Sequence, residues 1–165
     1  MRALRRQFLR GDFYGIGMPV RPPWALREPQ FVERCTRCDA CRTACPTRII
    51  VRGQDGFPRA DFARGECTFC GDCVQACEAA ALRREAGAAW SVKAGIGAAC
   101  IALKPVVCRS CGDACETRAI RFKLRPGGVA APNIEIDTCT GCGACYGVCP
   151  VGAIAMRHGE TEVTA

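Results

Sequence analysis

The 165-residue chain has little from which to build an ordinary apolar core. Its longest apolar stretch, Ala94 to Leu103, is ten residues long and interrupted by glycine, too short to cross a bilayer. Aromatic residues make up only 7% while Gly and Ala are abundant, so the side-chain volume available for burial is modest. Histidine occurs once, at position 158, beyond the last apolar segment in what reads as a solvated polar tail. No Walker loop, dinucleotide fingerprint or nucleophile elbow occurs, and catalysis by the chain itself is not expected.

Cysteine is what the chain has instead. All 16 cysteines fall into four groups with none left over. Cys35, Cys38, Cys41 and Cys45, followed by Pro46, have the C-x2-C-x2-C-x3-C-P spacing with which bacterial ferredoxins hold a [4Fe-4S] cube. Cys67, Cys70, Cys73 and Cys77 repeat the spacing without the proline, and Cys139, Cys142, Cys145 and Cys149 repeat it with Pro150. Cys100, Cys108, Cys111 and Cys115 form a stretched version, with Cys100 standing eight residues before Cys108. Three thiolates three residues apart let a tight loop wrap one corner of a cube, while the fourth reaches the cluster of a paired motif. Small residues at Ala40, Gly71, Gly112, Gly141, Gly143 and Ala144 allow the backbone to approach the sulfides.

Two other chemistries fit less well. Tetrahedral zinc would leave the third cysteine of each triplet idle. Disulfides would force cysteines packed this densely into strained local pairs. The expectation is four [4Fe-4S] clusters on all 16 cysteines, which leaves no free thiol nucleophile. Metal binding then supplies folding free energy that the sparse core lacks.

The formal charge of +7 would suggest a nucleic-acid partner if cofactors were ignored. An oxidised cube with four thiolates carries about −2, so four bring the loaded protein to about −1. The arginines offset cluster charge, and nothing in the pattern calls for nucleic acid.

The motifs recur at roughly 31 to 34 residues, which demands a repeat reading. Each repeat has a short extended lead-in (Phe57 to Phe62, Ile134 to Asp137), a cysteine loop, a brief helix near the third or fourth cysteine, and an apolar exit such as Ile49 to Val51 or Ile154 to Met156. Two repeats give a pseudo-symmetric βαββαβ ferredoxin-like unit holding two clusters. The fold class is therefore α+β, two such units in tandem, small and cluster-stabilised. The expected division is a basic, proline-containing arm over 1–30, a first unit over 31–84, a junction over 85–99, a second unit over 100–157 and a tail over 158–165. Tyr146 and Phe69, inside cluster loops, read first as packing residues, and the stiff Arg21-Pro22-Pro23-Trp24 segment as an anchor on the protein's own surface or a partner's.

Spacing leaves ligand pairing open. Sequential pairing joins Cys35, Cys38 and Cys41 with Cys77; Cys67, Cys70 and Cys73 with Cys45; Cys100, Cys108 and Cys111 with Cys149; and Cys139, Cys142 and Cys145 with Cys115. Nested pairing would join the first motif with the fourth and the second with the third. Short, even spacers favour the sequential arrangement. Near the N-terminus, Arg5-Arg6-Gln7-Phe8-Leu9 imitates a twin-arginine export signal, but the glycine- and proline-punctuated sequence after it lacks an apolar region and a cleavage site, so a retained arm is expected.

The Arg-Arg-x-x-Leu start, Arg21-Pro22-Pro23-Trp24, the first motif Cys35-Thr36-Arg37-Cys38-Asp39-Ala40-Cys41, the stretched third motif and Cys149-Pro150-Val151 together make the chain resemble the NapF family of ferredoxin-type proteins, accessory proteins of periplasmic nitrate reductase systems. The resemblance covers nearly the whole chain. It implies a cytoplasmic protein that binds the precursor of the nitrate reductase catalytic subunit and assists assembly or reduction of its cluster before export. The alternative is an electron-transfer polyferredoxin subunit of a respiratory oxidoreductase; a third class, clusters serving structure alone, would need only one. Leu4 departs from the Ser or Thr common before export arginines, and Glu78 and Glu116 replace the proline after the fourth cysteine, which puts the rigidity of those turns in question.

Overall fold

A computed structural model describes residues 19–84, 89–126 and 128–159. The Arg5-Arg6 pair and the rest of 1–18, like residues 85–88 and the end of the expected tail, lie outside the described residues. The described chain forms two units of short helices and two-stranded antiparallel ribbons, each wrapped round cysteine loops.

In the first unit, α1 (Glu28–Arg34) and α2 (Ala40–Ala44) precede β1 (Ile50–Arg52), β2 (Pro58–Ala60) and α3 (Asp72–Gln75). β1 and β2 pair with Ile50 opposite Ala60. The repeat grammar has no place for α1. It forms because Pro29 presets the first turn, Glu28 and Arg34 suit the two ends of the helix dipole, and Phe31 supplies the buried face. Residues 19–30, assigned to an arm by sequence, pack into this unit from Pro19 onward. Pro22 is fully buried, and Ala25 makes a bridge to Leu82 that closes the unit's outer edge. Phe31, Ile49, Ile50, Phe57 and Leu82 form the core together with Cys41 and Cys73.

The second unit runs β3 (Val92–Ile96), a 3-10 turn (Ile101–Leu103), α4 (Ser110–Asp113), β4 (Ile120–Lys123), β5 (Ala131–Ile134), α5 (Ala144–Gly147) and β6 (Ile154–His158). β3, read from sequence as junction, is the outer strand of this unit and pairs with β6 from Val92 opposite His158 to Ile96 opposite Ile154. His158 therefore ends a strand rather than lying in a tail, and its Nδ1 lies 3.3 Å from Ser91 Oγ. β4 and β5 form the inner pair, Ile120 opposite Ile134. The extended lead-in lies earlier than expected, over 131–134, because Ile136 is half exposed and only Ile134 packs on the core. No helix among the described residues is long and apolar enough to cross a membrane.

Candidate cluster-binding sites

Each brief helix carries the third cysteine of its motif: Cys41 on α2, Cys73 on α3, Cys111 on α4 and Cys145 on α5. Helix α2 packs on α3 and α4 on α5, which turns the buried thiols of each unit toward one another. The loops ahead of three of these helices are tight. Arg37, Phe69 and Gly141, two residues after the first cysteine, have φ of 59°, 55° and 77°; Asp39, Gly71 and Gly143, two residues further on, have φ of 63°, 89° and 88°. Left-handed backbone at non-glycine residues costs about 1 kcal/mol or more, and its repetition here marks loops held by what they surround. Asp39 is fixed in that conformation by Arg52, 2.5 Å away, and Arg42. The third motif escapes the constraint. Its eight-residue spacing is taken up by the 3-10 turn, and Arg109 before α4 has a negative φ of −128°.

A turn follows every fourth cysteine. The amides of Arg48, Ala80, Arg118 and Gly152 donate to the carbonyls of Cys45, Cys77, Cys115 and Cys149 at 2.9–3.2 Å, and all four residues are left-handed. The turns after Cys77 and Cys115, where Glu78 and Glu116 replace proline, match the other two. The doubt raised by the missing prolines is answered by this hydrogen bond, which a proline at that position neither makes nor prevents.

Four cavities of about 310–360 Å³, counted with their open mouths, result. The first is lined by Cys35, Cys38, Cys41 and Cys77, the second by Cys67, Cys70, Cys73 and Cys45. The third is lined by Cys100, Cys108, Cys111 and Cys149, the fourth by Cys139, Cys142, Cys145 and Cys115. Every cysteine falls in one quartet, and the quartets are those of sequential pairing. Among the described residues no three His, Cys, Asp or Glu side chains form a group that could hold a single metal ion. The thiols surround a volume, as a polynuclear cluster requires and mononuclear zinc does not.

The chemistry of the donors agrees. Burial, reinforced by neighbouring thiolates, pushes Cys73 and Cys145 up to about 12 and Cys41 up to about 11. Burial likewise pushes Cys67 up to about 11 against a hydrogen bond from the Phe69 amide, and raises Cys111. Exposed Cys38 is lowered by hydrogen bonds from the Ala40 amide and the Thr36 side chain. Thiolates in the buried positions at neutral pH need a cation, which iron supplies.

Sequence reading missed the second ring of donors. The Phe69 and Ala153 amides reach Cys67 and Cys149 Sγ at 3.4 and 3.2 Å. Thr47 and Thr117 hydroxyls lie 3.6 Å from Cys45 and Cys115 Sγ. The recurrence of Cys-x-Thr at 45–47 and 115–117 was the available signal. Lys93 Nζ on β3 donates to the Cys139 carbonyl at 2.5 Å, a contact made by strand pairing that no local pattern announces. Glycine has a steric role beyond approach to sulfide: a side chain at Gly112 would strike Phe122, and one at Gly143 would strike Phe62 of the first unit.

Residues 34–82 and 105–153 each match the 4Fe-4S dicluster domain. The chain is 41% identical to the ferredoxin-type protein NapF of Escherichia coli K12, covering 94% of this chain and 95% of that protein. It is 46% identical to NapF of Haemophilus influenzae, with 93% of each covered. A more distant likeness, 30% identity over 84% of this chain and 70% of the relative, is to the methylamine utilization ferredoxin-type protein MauM of Paracoccus denitrificans. With two dicluster domains matched, 4Fe-4S clusters are the cofactor.

Proposed function

The chain belongs to the NapF family of ferredoxin-type proteins, and from that premise we propose that it is a four-cluster accessory protein, not an enzyme, that acts in the cytoplasm on the catalytic subunit of a periplasmic nitrate reductase before export. Its 16 cysteines would hold four [4Fe-4S] clusters in the quartets around the four cavities, within two pseudo-symmetric βαββαβ units. Bound clusters supply one-electron carriers. The chain's own residues order the thiolates, donate N–H and O–H hydrogen bonds to sulfur, and exclude water with Phe31, Ile49 and Ile154.

The observation that carries the reading is the use of every cysteine in four complete quartets. Anaerobic preparation should yield about 16 irons per chain with matching sulfide. Zinc without labile sulfide would refute it. Pull-down from cytoplasm should recover the cluster-free precursor of the catalytic subunit and lose it once that client carries its own cluster.

The second reading, an electron-transfer subunit, is favoured by the hydrogen bond from the Cys67 amide to the Cys142 carbonyl at 2.8 Å, which joins cysteine loops of the two units. It would replace the first if mature enzyme made without this protein had full cluster content yet accepted electrons only after the protein was added back.

A further inference from the structure

Within each unit, adjacency follows from packing. Cys41 and Cys73 share one core with Ile49 and Ile50, so the first and second quartets are neighbours. Cys111 and Cys145 share the other core with Ile120 and Ile154, so the third and fourth are neighbours. Which quartets meet between units is not fixed by chain order, and the seam decides it. Two backbone hydrogen bonds cross it among the described residues: the Trp24 amide to the Ala89 carbonyl at 2.6 Å, and the Cys67 amide to the Cys142 carbonyl at 2.8 Å. The second joins a second-quartet cysteine directly to a fourth-quartet cysteine.

Aromatic rings seal the same place. Phe62 packs on Trp90 at 5.6 Å and Tyr146 at 6.5 Å, and Trp90 packs on Phe69 at 6.0 Å. Trp90 Nε1 donates to the Thr140 carbonyl at 3.2 Å, holding the fourth-quartet loop against the seam. Gly143 has no side chain because Phe62 occupies the space. The third quartet lies elsewhere, with Ala102 and Ala153, and beside Cys108 the side chain of Val107 is 80% exposed.

We propose that the four clusters stand in the spatial order one, two, four, three, with the Cys67 to Cys142 peptide bridge under Phe62 and Trp90 as the place where the cysteine loops of the two units meet. The inference rests on the four-cluster reading above and adds the order. Clusters held by the second and fourth quartets would exchange one electron here, one being oxidised as the other is reduced, with no bond made or broken. The first and third quartets become the two ends of the row, so any outside redox partner meets the protein at a motif that is not last in the chain.

The test uses the anaerobically reconstituted full chain. Cys139→Ala with Cys145→Ala removes the fourth cluster, and Cys100→Ala with Cys108→Ala removes the third; each variant should keep about 12 irons. In fully reduced samples, loss of the fourth cluster should strand the third and produce an uncoupled spin-half EPR signal of about one spin per chain. Loss of the third should leave every remaining cluster magnetically coupled. The opposite pattern, an isolated signal only when the third is lost, means the clusters follow chain order and overturns the proposal.

A measurement that spares the ligands guards against failure of these variants to fold. A photoreactive benzoylphenylalanine replacing Tyr146 should cross-link to peptides spanning 60–70, and the same residue replacing Val107 should not. Cross-linking from position 107 alone would also overturn the order. Iron content near 16 with the wrong coupling pattern sinks only the order, whereas absence of iron and sulfide sinks the cluster reading itself.

Discussion

Arg21 shows how one side chain can fasten a segment that sequence assigns to an N-terminal arm with an anchor at residues 21–24. Its guanidinium, 8% exposed, lies 2.7 Å from Glu28 and 2.9 Å from Asp55, donates to the Pro58 carbonyl, and sits over the Phe31 and Phe57 rings. Charge-assisted hydrogen bonds of this kind contribute about 2–3 kcal/mol, so Arg21→Ala should lower the thermal midpoint of cluster loss in the first unit by several degrees. The Asp55 carboxyl is pushed up by partial burial but pulled further down by Arg21 and the Phe57 amide, and so lies below the ordinary carboxylate range. Its folded value is thus below the unfolded value of about 3.9, and its contribution is full above that pH and lost as pH falls through the folded value. The difference in stability between wild type and Asp55→Asn should be flat from about pH 8 to 5.5 and shrink only below about pH 4. A different charge acts on redox chemistry. Lys93 places an ammonium beside the fourth quartet, which favours the reduced, more negative cluster. Lys93→Met should make one cluster harder to reduce in an EPR-monitored titration while iron content stays unchanged.

At the scale of elements, the brief helices and the left-handed turns after them form one repeated device, and its glycines separate into two kinds. Gly112 on α4 faces the Phe122 ring of β4, whereas nothing lies within 4 Å of a side chain built at Gly147 on α5. Gly112→Ala should therefore cost about 1–3 kcal/mol through overpacking, and Gly147→Ala should be neutral or stabilising by up to about 1 kcal/mol; chemical unfolding of the loaded protein compares them. Sequence alone reveals these helices because cysteine spacing is a local signal, and it reveals the exit strands because Ile49-Ile50 and Ile154 are apolar where the chain leaves the loop. It does not reveal α1, because a seven-residue segment with one buried residue, Phe31, carries no periodicity to detect. It does not reveal that β3 belongs to the second unit, because Gly95 within it and Gly97 just after it read as a linker until β6 pairs with it. The quartets were legible down to a choice between two pairings. Choosing between them required the packing of α2 on α3 and α4 on α5, a tertiary fact that spacing only favours.

For the whole molecule, the two sparse cores and the net charge point to the same dependence on cofactor. Among the described residues the buried side chains larger than alanine are few, and six residues of the cysteine loops and the turns after them adopt left-handed backbone without being glycine: Arg37, Asp39, Arg48, Phe69, Ala80 and Arg118. Such loops are expected to need ligation to offset the strain, because metal binding in small metallo-domains is coupled to folding. Charge acts in the same direction. The formal +7 of the polypeptide is self-repulsive, and the four clusters proposed above, at about −2 each, would bring it to about −1. Anaerobic removal of iron with an oxidant and chelator should therefore abolish near-ultraviolet circular dichroism in step with the visible cluster absorbance. The stripped chain should lose slow amide exchange in the strands and helices of both units and migrate as a cation, where the loaded protein is near neutral. Reconstitution with iron and sulfide should restore both properties together. A stripped chain that kept its near-ultraviolet signal and protected amides would show that the apolar cores suffice, and would reduce the clusters from the scaffold of the fold to passengers on it.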